Sequence, residues 1–417
     1  MALAVIIFLG ALALIASERV DRTKVALLGG VLVLLTQTIE QHVAIEAIDW
    51  NTLGLLVGMM IVVRVTEPTG AYTWVAIRAG QLSKGRPFAV VLSLAVTTAV
   101  LSAFLDNLTT VLLMVPITFL LADALDVDPI PLVIIEILVS NIGGTATLIG
   151  DPPNIMIAGA TGLSFVEFIV NLAPVAVVTF AVVTAGLYAV FRSRLQISDK
   201  ARDKVMELDA ADSIEDMDEL KRTVPVLLGT VLLFFAHQAL HLEPATVALT
   251  GAAVMLLISR QKVEDVLAGL EWPTLFFFVG LFVMVGALEE TGAIDEVAQG
   301  IGSVTAGDRT AELLGIAWVS AFGSAVVDNI PFTAAMIPVV EQLGGGDGDD
   351  AYWWALALGA CFGGNATLVA AAANVAAAGM AARAGRPIGF VEFLRVGLPV
   401  TFVSMLIATA YIAIRYL

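Results

Sequence analysis

An Asp-Asn pair set deep in an apolar stretch occurs twice in this chain, at Asp106-Asn107 and at Asp328-Asn329, 222 residues apart. The first copy reads DNLTTVLLMVP, through Met114 to Pro116, and the second DNIPFTAAMIP, through Met336 to Pro338. A carboxylate at bilayer depth costs on the order of several kcal/mol unless it is satisfied, so intramembrane acids mark ion or substrate pathways. Two of them at matching positions of a repeated chain point to a transporter whose site lies near the membrane midplane.

Composition supports the membrane setting. The chain is 59% hydrophobic and 14% charged, against roughly 25% charged in a soluble domain. Met1–Ala16 lacks the basic start and small-residue cleavage site of a signal peptide and reads as the first span. The net charge of −17 lies largely in two solvated stretches, Ser198–Glu219 and Gly344–Asp350. So acidic a chain is no nucleic-acid binder. The single cysteine, Cys361, excludes an intrachain disulfide and any multi-cysteine metal site. His42, His237 and His241 fall in loops or at span edges, apart from acids, and make poor metal ligands. Neither an HExxH nor a GxSxG motif is present, so an enzyme is not expected.

Apolar runs near the 20 residues needed to cross a bilayer lie at 1–16, 24–40, 51–67, 130–160, 167–191, 223–237, 244–259, 272–288, 352–380 and 392–416. The stretches 88–122 and 310–343 are too long for one helix and carry the Asp-Asn pairs near their middles, which predicts two re-entrant hairpins. The repeat extends beyond them. Asp49-Trp50 matches Glu271-Trp272, Val57-Gly58 matches Val279-Gly280, and Thr69-Gly70-Ala71 matches Thr291-Gly292-Ala293. GGTATL at 143–148 matches GGNATL at 363–368, and FVEF at 165–168 matches FVEF at 390–393. The expected fold is therefore an all-α membrane protein of ten transmembrane helices plus two re-entrant hairpins in two inverted repeats, with two broken helices. The repeats are 1–192 and 223–417, joined by an acidic cytoplasmic linker at 193–222. With both termini extracytoplasmic, Arg19, Arg22, Lys24, Arg78, Lys84, Arg86, Arg260, Lys262, Arg383, Arg386 and Arg395 all fall inside, as the positive-inside rule requires. Arg309 and Arg415 fall outside, and Arg64 sits near a span end beside Glu67, where it either pairs with a hairpin or snorkels to the headgroups.

Between Gly143 and Asn154 the chain reads GGTATLIGDPPN, whose two prolines disfavour an intact helix. The break would expose carbonyls to a cation. The second half reads GGNATLVAAAAN, with Ala371 in place of Asp151. Asp106 and Asp328 either cap the helices that follow them or present charge at the hairpin tips. Asn107 and Asn329 are either turn formers or coordinating amides. Asp151 is either a cap or the proton carrier. Glu136, with Leu356 at its matching position, is either a proton relay or a side chain snorkelling to the cytoplasmic edge. The candidate ion and substrate ligands are Asp106, Asn107, Thr109, Thr147, Asp151, Asn154, Asp328, Asn329, Thr333, Asn365, Thr367 and Asn374.

DNLTTVLLMVPI, SNIGGTATLIGDPPNIMI, DNIPFTAAMIPV and GACFGGNATLVAAAANV resemble the ion transporter superfamily over nearly the whole chain. The likeness is to the arsenite-permease/Na⁺–H⁺ antiporter branch, in particular proteins similar to the melanosomal P protein, and more distantly to the divalent anion/sodium symporters. That resemblance implies a homodimer in the inner or plasma membrane whose transport domain moves as an elevator against a scaffold. It implies a coupling Na⁺ or H⁺ near Asp106, Asn107 and Asp151 and near Asp328 and Asn329, no other cofactor, and a small inorganic ion or small molecule as substrate. The dicarboxylate carriers place Ser where this chain has the tip Asp. Two fixed anions there would repel a dicarboxylate by roughly 1–4 kcal/mol, which favours cation or proton handling. Arsenite efflux, dicarboxylate uptake and, from another class, an ion channel are the alternatives.

Overall fold

The computed structural model describes residues 1–17, 19–198 and 209–417, so part of the acidic linker, residues 199–208, lies outside the described residues. The described residues fold into α-helices joined by turns and short 3-10 segments. The first half comprises α1 (Ala2–Ala16), α2 (Arg22–Leu35), α3 (Gln41–Glu46), α4 (Trp50–Thr66), α5 (Ala71–Leu82), α6 (Pro87–Leu105), α7 (Asn107–Leu125), α8 (Pro129–Gly144), α9 (Pro152–Thr161) and α10 (Phe165–Phe191). The second comprises α11 (Met217–Ala236), α12 (Pro244–Ile258), α13 (Val263–Ala268), α14 (Trp272–Glu290), α15 (Ala293–Thr305), α16 (Arg309–Val326), α17 (Asn329–Leu343), α18 (Ala351–Gly363), α19 (Ala372–Arg383) and α20 (Phe390–Arg415).

Local sequence fixes many of the ends. Asp21 accepts from Thr23 N (3.0 Å) and Lys24 N (3.2 Å) to open α2, and Asp49 accepts from Asn51 N (2.9 Å) and Thr52 N (3.1 Å) to open α4. Ser164 and Glu167 close a capping box at the start of α10. Proline begins α6, α8, α9 and α12, where its missing N–H costs nothing. Asp216 caps α11, which starts at Met217, before the apolar run from 223 expected as a span. The span expected at 24–40 is helical only to Leu35.

Among the described residues six helices are long and apolar enough to cross a bilayer: the segment Trp50–Thr69 and α6, α7, α10, α14 and α20. Four shorter apolar helices, α1, α8, α12 and α18, accompany them. The stretch 88–122 forms the helix pair α6–α7, with 19 residues in each arm and Asp106 between them, each arm as long as a candidate span. The spans at 130–160 and 352–380 are each split in two, at residues 145–151 and 364–371. The first break follows from the Pro152-Pro153 pair. The second forms without proline, so the surrounding packing imposes it.

The halves interlock. α2 packs along α14 and α12 along α4, while α7 packs against α19 and α17 against α9. Gly58 lets α12 approach, since a Cβ there would sit 2.5 Å from the carbonyl carbon of Ala248. Gly280 does the same where α14 crosses α2 at Ala26. Close small-residue crossings are the packing device available where water does not drive association. Gly280→Val should therefore destabilise the protein by at least about 1–3 kcal/mol through overpacking. The check is thermal unfolding in detergent; Gly10→Val, at a position with open space around it, should leave the midpoint unchanged.

Candidate functional site

The two hairpin tips and the two helix breaks meet in one buried polar cluster. Asn107, first residue of α7, donates to Asn141 Oδ1 (3.1 Å) and to Asp151 Oδ1 (3.1 Å). Asn329, first residue of α17, donates to that same Asp151 oxygen (3.1 Å). Asn141 of α8 donates to Asn365 Oδ1 (2.9 Å) and Asn374 Oδ1 (3.0 Å), which joins the first break to the second. Asn154 donates to the carbonyls of Thr145 (3.2 Å) and Thr147 (2.8 Å), and Asn374 to those of Gly364 (2.7 Å) and Thr367 (2.8 Å). Each break is thus tied to the start of its own following helix by an asparagine, which satisfies carbonyls that the helix end leaves open. Cys361 of α18 contacts Asn154 Oδ1 at 3.6 Å.

Asp151, Asn141, Asn154, Asn365 and Asn374 are fully buried, and Asn107 and Asn329 nearly so. Asp151 occupies the N-cap position of α9 yet makes no side-chain cap; its carboxylate turns to the two tip asparagines instead. Among the described residues its Oδ2 and the Asn365 amide nitrogen are buried without a well-formed hydrogen bond, and the weakly donating Cys361 thiol lies against the carboxylate. Among the described residues no Lys, Arg or His pairs with Asp151. A buried carboxylate without a counter-charge is untenable as a bare anion. The cluster therefore has the chemistry to hold a proton or a small cation, with amide oxygens as further hard donors. Among the described residues no three of His, Cys, Asp and Glu converge as a metal site.

The other candidates sit around this centre. Asp106 accepts from Thr109 N (2.9 Å) and Asp328 from Ile330 N (2.9 Å), so each caps the helix it precedes. Asp328 also pairs with Arg22 of α2 at 3.2 Å. Both tip aspartates hold positive φ, 87° and 131°, with ψ of 153° and 141°, a region that is essentially glycine's and is kept only where surroundings enforce it. Thr147 donates to Ala103 O, Thr367 to Ala325 O (2.8 Å), and Thr333 to Asn329 O (2.7 Å), so all three hydroxyls brace backbone near the breaks and tips. Thr109 lines a separate cavity with Arg64 and Glu271. Arg64 pairs with Glu67 at 2.8 Å. Glu136 does not snorkel: it is fully buried and accepts from Thr118. His237, buried at the end of α11, accepts from Phe165 N (3.1 Å) and contacts Leu242 O (2.8 Å), a purely structural pairing.

Asn141 and Arg22 were not among the residues the sequence singled out. Asn141 was signalled by being an amide inside an apolar run directly before the glycine pair. Arg22 carried no signal beyond its place at a span start. A cavity of about 420 Å³ lies beside the tips, lined by Arg22, Asp328, Leu108, Val327, Val369 and Ala372 among others.

Replacing Asp106 separates its two effects. Asp106→Ala removes the cap and should cost about 1 kcal/mol. Asp106→Gly removes the same cap but relieves the positive φ, and should come close to wild type in thermal unfolding.

Comparison with known proteins supplies the family. The profile of the family described as "Citrate transporter" (CitMHS) matches residues 12–359. The chain is 43% identical over 421 residues to an uncharacterized transporter of Mycobacterium tuberculosis, covering 99% of this chain and 98% of that protein. It is 40% identical over 423 residues to the 46 kDa membrane protein of Mycobacterium leprae, covering 100% and 99%. It is 33% identical over 501 residues to the human P protein, covering 99% of this chain and 60% of the P protein's length. Among solved structures, the YdaH transporter of Alcanivorax borkumensis has a similar fold, with a TM-score of 0.61 at 15% identity over 89% of this chain and 86% of that one.

Proposed function

This chain belongs to the citrate transporter family, and on that premise we propose that it is an ion-coupled secondary transporter that uses H⁺ or Na⁺ and works by antiport. It is a multi-pass integral membrane transporter and not an enzyme. The observation that carries the proposal is Asp151: a buried carboxylate shared by the asparagines of both hairpin tips, with only the neutral Cys361 thiol beside it otherwise and, among the described residues, no basic group against it. Bound H⁺ or Na⁺ would neutralise it, with Asn107, Asn329, Asn154, Asn365 and Asn374 as the surrounding amides. Thr147, Thr367 and Thr333 hold nearby backbone, Thr109 gives its N–H to the Asp106 cap, and Asp106 and Asp328 act chiefly as caps.

The architecture we propose is two inverted repeats, 1–192 and 223–417, around the 193–222 linker, with ten spans, two re-entrant hairpins and both termini extracytoplasmic in the plasma membrane. The like-for-like bonds of Asn154 and Asn374, and of Thr147 and Thr367, favour that reading. So does the paired crossing of α2 on α14 and α12 on α4. In an elevator motion within a homodimer, α2, α4, α12 and α14 would form the scaffold. The Arg22–Asp328 pair would then link scaffold to moving tip.

A polycarboxylate substrate such as citrate is the second reading. Arg22 favours it, because it neutralises Asp328 and weakens the repulsion expected from two bare tip aspartates. Flux in proteoliposomes with an internal pH dye separates the readings, with Na⁺, Li⁺, chloride, arsenite, succinate and citrate added in turn. We expect a Na⁺- or citrate-dependent pH change that Asp151→Asn abolishes. Anion uptake with no dependence on H⁺ or Na⁺, or conductance far above transporter turnover, would overturn ion-coupled transport.

A further inference from the structure

A second buried carboxylate lies away from the central cluster. Glu136, on α8, is fully buried; its Oε1 accepts from Thr118 of α7 and its Oε2 has no partner. No charged or titratable group on the helices packed against α8 faces it among the described residues. α6 carries none. On α7, Asp106 caps its own helix and Asp123 is exposed. On α10, Glu167 closes its capping box and Tyr188 stacks on Phe88. Tyr352 donates to Glu312 and Cys361 contacts Asn154. Arg383 and Arg395 are exposed, Glu392 pairs with Arg194, and Tyr411 and Arg415 bind Asn171.

The fold does not need this polar pair. At the matching positions of the second half stand Leu356 and Val340, both fully buried. The seam between α17 and α18 is thus built from hydrocarbon where that between α7 and α8 holds a carboxyl and a hydroxyl. Replacing buried polar pairs by apolar ones is often neutral or stabilising, so packing gives no reason to keep Glu136. An unpaired carboxylate anion cannot stay in such a seat without water or a counter-charge. Glu136 can ionise only if α7 parts from α8, and α7 is the helix that carries Asn107 into the central cluster.

We propose that Glu136 is a proton-binding site separate from the central cluster, protonated while α7 is seated on α8 and deprotonated when the first hairpin lifts and water reaches the seam. The O–H bond of the carboxylic acid breaks, the proton passes to water, and the carboxylate is solvated until the hairpin closes. Proton release is thereby tied to hairpin movement. This deepens the ion-coupling reading but rests on its own pair of residues.

Two measurements on the full-length protein test it. In infrared difference spectra of purified protein, wild type minus Glu136→Gln should show a protonated-carboxyl band at neutral pH that disappears on alkalinisation. The same band should survive in Asp151→Asn. A band that persists at every pH, or is missing at neutral pH, overturns the proposal. In proteoliposomes with the pH dye, Glu136→Gln should cut proton movement driven by a Na⁺ or citrate gradient at least about tenfold, within the usual range of coupling energies. Tracer exchange of the same solute should survive. Proton movement equal to wild type also overturns the proposal. The double variant Glu136→Leu/Thr118→Val, which copies the apolar seam, should unfold at or above the wild-type temperature, which separates loss of coupling from loss of fold. If wild type moves no protons with either solute, the transport reading fails, and the infrared titration still decides Glu136.

Discussion

Asp151→Asn should yield a folded protein that no longer couples ion movement to transport. The asparagine oxygen can still accept from Asn107 and Asn329, the two bonds that hold the tips to the first break. What disappears is the charge and the exchangeable proton. A hydrogen bond or contact to a charged group is worth roughly 1.5–3 kcal/mol, so apparent ion affinity should fall about tenfold or more. The measurement is dye-reported flux against Na⁺ concentration and pH, with thermal unfolding as the control for fold. Asp106→Asn is the matched comparison, since it keeps the cap to Thr109 and its side chain makes no hydrogen bond to the central cluster. Coupled flux in Asp151→Asn equal to wild type would mean that the cluster is structural.

Asn141→Ala is the second large effect, and its mark is on stability as well as transport. This one side chain accepts from Asn107 and donates to Asn365 and Asn374, so it joins the first tip, the first break and the second break. Hydrogen bonds inside membrane proteins measure about 0.6 kcal/mol on average and up to about 1.7. Three lost together, with the Asn365 and Asn374 oxygens deprived of a donor, put the cost at about 2–4 kcal/mol. Coupled flux should fall with it, because the two broken helices keep only the weak Cys361–Asn154 contact as a direct side-chain link among the described hydrogen bonds. Cys361→Ala, at the position matching Asn141 in the second half, gives up only weak thiol contacts, to Asn154, Asp151 and Thr145, and should cost less. Unfolding midpoints of the two variants, measured side by side, test this asymmetry. Equal midpoints would show that Asn141 is not the hub.

The sequence made the membrane setting, the two Asp-Asn tips and the first break legible, each for a local reason. Hydrocarbon content sets the solvent. The Pro152-Pro153 pair cannot continue a helix. Asp106 and Asp328 stand next to the amides they cap. The second break was legible only through its likeness to the first, since AAAAN is good helix sequence and nothing in its own residues interrupts a helix. Sequence spacing could not tell that Asp151, in a cap position, turns away from its own helix, or that Asp328 meets Arg22 across 306 residues.

What the sequence by itself determined is therefore the set of parts: apolar helices, two costly Asp-Asn corners and two asparagine-bearing breaks in matching order. Tertiary structure decided which of those polar groups share a site. Burial and hydrogen bonding depend on partners that arrive from distant helices. Asn107, Asn141, Asp151, Asn329, Asn365 and Asn374 lie on six different helices or breaks and meet only when the halves interlock. The same packing set the tip aspartates aside as caps, and it left Asp151 as the uncompensated charge of the central cluster.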